Sequence, residues 1–186
     1  MVWLFSIPIV LFYKQDKRMK KIHRIVISSM FATLVCVATM MIKLPTPLGG
    51  YINLGDCIVL LCGWTLGPVY AFFAAAIGSA LADIFSGYAF YAPATFVIKG
   101  SMALLVHFIF KLLSKRVNSF VSRLVGGIGA EMVMVVGYLF FEGFFYGLLP
   151  SLVNVPANAI QGVAGIIIGM LFITLLDKQN VLKFLK

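Results

Sequence analysis

Apolar residues run along this chain in long blocks broken by short polar interruptions, unlike the alternating patterns of a water-soluble fold. The blocks predict helices at residues 22–43, 54–66, 68–86, 93–113, 122–145 and 154–176, each apolar enough for a bilayer. The second is short and is parted from the third only by Gly67-Pro68, a step that breaks or sharply turns a helix, so a count of five is also open. The expected fold class is an all-α membrane protein, a compact bundle of six transmembrane helices.

Composition agrees with the pattern. Of 186 residues 62% are hydrophobic and 11% charged, against about a quarter charged in soluble domains. At about 20 residues per span the chain holds roughly six spans and no second domain. The opening stretch, MVWLFSIPIVLFY, is too short to span and lacks the leading basic region and cleavage site of a signal peptide. Residues 1–18 are therefore expected to be an extension or an upstream start, with Met19 as the functional beginning and 19–186 as a single membrane domain.

Charge sets the expected orientation. Lys14, Lys17, Arg18, Lys20, Lys21 and Arg24 precede or open helix one, Lys111, Lys115, Arg116 and Arg123 flank the link between helices four and five, and Lys178, Lys183 and Lys186 follow helix six. With six spans these fall on one side, which the positive-inside rule makes cytoplasmic together with both termini. The net charge of +9 thus reports topology, since no basic surface with interleaved aromatics is left for a nucleic acid. Cys36, Cys57 and Cys62 lie in or beside apolar segments without a C-x-x-C pair and read as small hydrophobes rather than metal or redox ligands.

Charges inside spans cost about 2.5–3.5 kcal/mol each on insertion scales, so they face a partner or a cavity. Asp56, Asp83, Lys99, Glu131 and Glu142 are such residues. One arrangement holds the Lys99 ammonium between Asp56 and Asp83; a purely structural ion network and a ligand role for Lys99 both fit. Glu131, Tyr138 and Glu142 share a face of helix five, and Asn154, Asn158 and Gln161 share a face of helix six. Two polar faces at matching depth suggest a common cavity, with Glu131 deeper and structural; interhelical hydrogen bonds alone are the competing reading. Tyr51, Tyr88, Phe90, Tyr91, Phe144, Phe145 and Tyr146 form either an interfacial belt or a stacking surface for a flat ligand. Loops 44–53, 87–92 and 146–153, almost free of charge, are candidates for a lid.

Ser28, Ala32 and Cys36 give helix one a small-residue face that lets another helix approach closely. No G-x-x-x-x-G-K-[ST] loop, H-E-x-x-H motif or nucleophile elbow occurs, so neither autonomous ATP hydrolysis nor another enzymatic activity is expected.

Residues 50–100 carry N-L-G-D at 53–56, G-P at 67–68, G-S-A-L-A-D at 78–83, G-Y at 87–88 and Y-A-P-A-T with K-G across 91–100. This segment resembles the S component, the substrate-binding subunit, of energy-coupling factor (ECF) vitamin transporters. The resemblance implies a six-helix bundle in the plasma membrane that binds a water-soluble vitamin or precursor from outside, itself holding no cofactor or metal. It also implies docking on a transmembrane coupling subunit served by two ATPases, with Ser28, Ala32 and Cys36 at the contact and toppling of the subunit in the bilayer as the transport step. The segment is most similar to members for pyridoxine or the hydroxymethylpyrimidine precursor of thiamine, with riboflavin next and folate or pantothenate also open. Asn53, Asp56, Asp83, Tyr88, Tyr91, Lys99, Tyr138, Glu142, Asn158 and Gln161 are the expected substrate contacts. An ion-coupled carrier or channel would show inverted repeats, and no match between helices one to three and four to six is evident. A ligand-free scaffold would tolerate apolar residues at Lys99, Asn158 and Gln161.

Overall fold

The structure, a computed structural model, describes the backbone of residues 3–179 and the side chains of residues 21–179. Seven helices follow one another: α1 (Trp3–Met41), α2 (Gly55–Thr65), α3 (Pro68–Phe85), α4 (Ala92–Leu113), α5 (Ser119–Tyr146), the four-residue α6 (Leu148–Ser151) and α7 (Val155–Lys178). The expected blocks thus match α1 to α5 and α7, with α1 continuing back through residues 3–21 as one helix. The side chains of Lys14, Lys17, Arg18 and Lys20, and all of Lys183 and Lys186, lie outside the described residues.

Five of the helices are long and apolar enough to cross a membrane. The exception is α2, whose 11 residues reach only about 16 Å, roughly half the hydrocarbon thickness. Its residues Gly55 to Trp64 are all buried, so α2 is the central element, wrapped by the others on every side. A helix so placed meets protein, not lipid, and backbone that ends at membrane depth is tolerated there. The extended Gly67 and the Pro68 that opens α3 turn the chain straight back from it.

The outer helices are amphipathic in the inverted sense. On α5, Ile128, Met132, Val136, Phe140 and Phe144 form an exposed apolar stripe at four-residue spacing, while Ala130, Glu131, Met134 and Glu142 are buried. Small residues bring the helices together: a Cβ on Gly63 would lie 2.7 Å from the Ala103 carbonyl of α4, and one on Gly78 would lie 2.3 Å from the Ala32 carbonyl of α1.

Each long helix reverses the chain, which sorts polar groups to two ends. The first turn of α2, the end of α3, the first third of α4, the end of α5 and the start of α7 meet at one end. At the other, Arg123 near the start of α5 pairs with Asp177 near the end of α7, in the company of Arg24 and Lys111.

The segment between α1 and α2, expected as a loop, contains a small antiparallel hairpin. Strand β1 (Leu44–Pro45) pairs with β2 (Tyr51–Ile52) in the register Leu44 to Ile52 and Pro45 to Tyr51. Gly49, at φ +80°, turns the hairpin in a conformation that other residues rarely adopt.

Substituting Gly63→Leu should lower stability by about 1–3 kcal/mol, because the added carbons must displace Val106 and the α4 backbone. Thermal unfolding of purified protein in detergent reads the loss; Gly67→Ala, whose nearest neighbour is 3.8 Å away, should leave the transition unchanged.

Candidate functional site

The polar side chains at the α2 N-terminal end form two linked groups, and the deeper begins with an ion pair. Lys99 on α4 donates to Asp56 on α2, both side chains being almost wholly buried. Gln161 on α7 donates to the other Asp56 oxygen at 2.6 Å and accepts from the Asn53 backbone N–H at 2.8 Å. The Asn53 side chain in turn accepts from the Gly55 N–H at 2.9 Å, which fixes the entry into α2. One chain of bonds therefore ties α4, α2, α7 and the end of the hairpin together. Asp56 also lies in the first turn of α2, where the helix dipole favours a negative charge.

The expectation that Lys99 is held between two aspartates is corrected here. Lys99 bonds to Asp56 alone, and Asp83 is served instead by Tyr51, whose hydroxyl donates at 2.6 Å. Asp83 closes α3 one layer above α2, and the hairpin brings a phenol to it before the ammonium can reach. Lys99 lies with its ammonium 5.5 Å from the centre of the Tyr138 ring.

Above that base is a second polar layer. It is lined by Thr46 and Tyr51 of the hairpin segment, Asn53, Asp83, Tyr91, Thr95, Tyr138, Glu142, Asn158 and Gln161. Glu142 accepts from the Asn154 amide at 2.9 Å, and the Tyr91 hydroxyl, which donates to the Leu48 carbonyl at 2.9 Å, lies 3.4 Å from the same carboxylate oxygen. Thr95 and Tyr138 share a hydroxyl hydrogen bond of 3.0 Å. Burial, and then the neighbouring Asp83 charge, raise the Tyr51 phenol above its ordinary pKa; burial and then Glu142 do the same for Tyr91. Both therefore remain donors at neutral pH.

Several acceptors in this layer are left over. Asp83 Oδ2, Glu142 Oε2, Asn154 Oδ1 and Thr46 Oγ1 are buried without a hydrogen-bond partner. Such groups cost free energy unless something supplies them with hydrogen bonds. The chamber they surround is contracted, with about 30 Å³ of free volume, room for a water or two. The hairpin segment gives it Thr46, Gly50 and Tyr51, and is tied down by Tyr51 to Asp83 and Tyr91 to Leu48, with Asn53 bonded to Gln161 at its end.

Of the ten contact residues expected from sequence, Asn53, Asp83, Tyr91, Tyr138, Glu142, Asn158 and Gln161 line this chamber. Asp56 and Lys99 form its base, and Tyr88 backs it by packing on Tyr51 with ring centres 4.4 Å apart. Glu131 lies deeper, as its position implied: its carboxylate fits against Gly162 and Gly165, with both oxygens lacking partners among the described residues. Thr46 and Thr95 were not singled out by sequence. Thr95 carries a signal, being four residues before Lys99 and so on the same face of α4; Thr46 carries none. The aromatics divide, with Tyr51 and Tyr91 turned to the chamber, Phe90, Phe141 and Phe145 packed on one another, and Phe144 84% exposed. No group of three or more His, Cys, Asp or Glu side chains suited to a metal occurs among the described residues.

Replacing Lys99→Met should destabilise the protein by about 3–5 kcal/mol, because Asp56 would remain buried and charged without its partner. Adding Asp56→Asn to that variant should recover most of the loss. Thermal unfolding in detergent checks both; a single variant as stable as the wild type would contradict a central role for the pair.

A family model for the ECF-type riboflavin transporter S component matches residues 19–178. A Pyrococcus woesei protein described as "uncharacterized protein in gap 3' region" is 36% identical over 136 residues, covering 73% of this chain and 88% of that protein. Among solved structures, the chain is similar to the S component of a bacterial ECF transporter at a TM-score of 0.67 and 27% identity, over 83% of this chain and 95% of that one. The S component for biotin from an ECF-type ABC transporter shares the fold at a TM-score of 0.56 and 18% identity, over 83% and 93%. The six long or central helices, the polar chamber they enclose and the match across residues 19–178 lead to one conclusion: the chain belongs to the family of ECF-type riboflavin transporter S components, membrane-embedded transport subunits rather than enzymes.

Proposed function

We propose that the chamber takes a small heteroaromatic vitamin, pyridoxine or the hydroxymethylpyrimidine precursor of thiamine, and that the β1–β2 hairpin is the lid through which it enters. The observation that carries this reading is the pair of unsatisfied carboxylate oxygens, Asp83 Oδ2 from α3 and Glu142 Oε2 from α5, whose residues line one tyrosine-rich chamber. They call for a ligand with several N–H or O–H donors on a small flat ring, which these compounds supply. Asn53, Asp83, Tyr91, Tyr138, Glu142, Asn158 and Gln161 would contact it; Asp56 and Lys99 would hold the base rigid, and Tyr88 would steady Tyr51. Since the chamber now has room for little more than a water, the hairpin must lift to admit a vitamin, at the cost of bonds such as Tyr51 to Asp83 and Tyr91 to Leu48. A second reading, riboflavin, is favoured by the family match and requires a larger displacement of the same hairpin.

With the chamber end outward, the basic end faces the cytoplasm, in accord with the positive-inside rule. The family match supports one substrate-binding domain from residue 19 onward, with residues 1–18 as an extension. Energy comes from outside the chain, through a coupling subunit and two ATPase subunits. Ser28 and Ala32 line an open groove of about 340 Å³ between α1 and α3, wide enough for side chains of a partner helix. Cys36, one turn further, lies half-buried beside Met40 and would extend the same contact.

Purified protein in detergent should bind pyridoxine or hydroxymethylpyrimidine in calorimetric titration against a panel of vitamins. Asp83→Asn and Glu142→Gln should each weaken that binding about tenfold or more, the worth of one charge-assisted hydrogen bond. Tighter binding of riboflavin would replace the pyridine or pyrimidine assignment, and no binding by folded protein would overturn the importer reading. For the coupling contact, Ala32→Phe should abolish cellular uptake while leaving the vitamin Kd unchanged; equal loss of both would refute it.

A further inference from the structure

A further cavity lies at the basic end, away from the chamber. It measures about 410 Å³ and opens between α1, the corner joining α2 to α3, and α4. Arg24 from α1 and His107 and Lys111 from α4 line it; the last two are four residues apart and so share a helix face. Among the described residues, the ion pairs leave Arg24, His107 and Lys111 uncommitted, Asp177 being taken by Arg123. Trp64, at the inner end of α2, forms part of its wall, its ring packed on Gly127 and Gly169. The three basic groups lack an acceptor among the described residues, the reverse of the acceptor-rich chamber.

The walls decide which anion fits. Ile27 and Phe110 make part of the lining apolar, and the residues beside its basic groups, Ile25, Phe108 and Leu112, are 47%, 54% and 62% exposed. Exposed apolar residues therefore flank the basic groups along both helices. A soluble anion would leave the apolar wall unused, whereas an amphiphile would cover both.

We propose that this cavity is a binding site for the phosphate headgroup of an anionic phospholipid, gripped by Arg24, Lys111 and the His107 N–H, with its glycerol and upper acyl carbons on Ile27 and Phe110. Basic pockets between helices are a recognised setting for such headgroups, and the convergence of basic groups from α1 and α4 on one cavity distinguishes this one from a general attraction of surface lysines. The site is independent of the vitamin chamber and does not rest on its assignment.

Native mass spectrometry of the full chain in detergent, titrated with phosphatidylglycerol or phosphatidylcholine, tests the site. Saturable retention of phosphatidylglycerol over phosphatidylcholine is expected, falling roughly thirtyfold in affinity in the double variant Arg24→Gln/Lys111→Gln, about fivefold for each basic side chain. Both positions are exposed, so the variant should keep its thermal transition. Lys115→Gln, a change of charge outside the cavity, should leave retention unchanged. Protection by inorganic phosphate without retention of phosphatidylglycerol would keep the anion site and assign it to a soluble phosphate. Equal phosphatidylglycerol retention by wild type and the double variant would overturn the proposal.

Discussion

An ammonium and a carboxylate buried at the centre of the bundle are the constraint on which the rest of the structure turns. Taking Lys99 and Asp56 out of water carries a desolvation cost that only close pairing and further hydrogen bonds offset. Those bonds come from elements far apart in sequence: Gln161 from α7 completes Asp56, and Asn53 completes Gln161. Neither α4, α2 nor α7 can shift without stranding a charge. The pair therefore acts as a pin beneath the polar layer that the hairpin borders.

That layer is imbalanced by design of its residue types. Two carboxylate oxygens and an amide carbonyl oxygen remain without partners, even with Tyr51, Tyr91 and Asn154 engaged. In a membrane interior without water to make up the difference, an acceptor surplus is a standing preference for a donor-rich ligand. At the basic end the imbalance has the opposite sign, with guanidinium and ammonium groups in excess. The two ends of α2 are thus chemically complementary in what they lack.

The helices and most of the site were legible in the chain because a bilayer makes two simple demands. Apolar runs marked α1 to α5 and α7, and isolated charges within them marked Asp56, Asp83, Lys99 and Glu142 as inward-facing. Helical spacing placed Tyr138 with Glu142 and Asn158 with Gln161 correctly. Pairing was not legible: whether Lys99 serves one aspartate or two depends on the height of α3 over α2 and on the hairpin, neither of which has a periodic signal. The hairpin itself was hidden because its strands are two residues each, too short for any alternation to register. Thr46 entered the site through that turn and could not be seen without it.

The brevity of α2 has a further consequence. Membranes differ in thickness, and helices that face lipid answer such mismatch by tilting or by deforming the bilayer. With ten of its 11 residues buried, α2 has almost no lipid-facing side on which that stress can act. The element that carries Asp56 is thereby shielded from hydrophobic mismatch, so the outer helices can lean within the bilayer while the centre they surround keeps its own length.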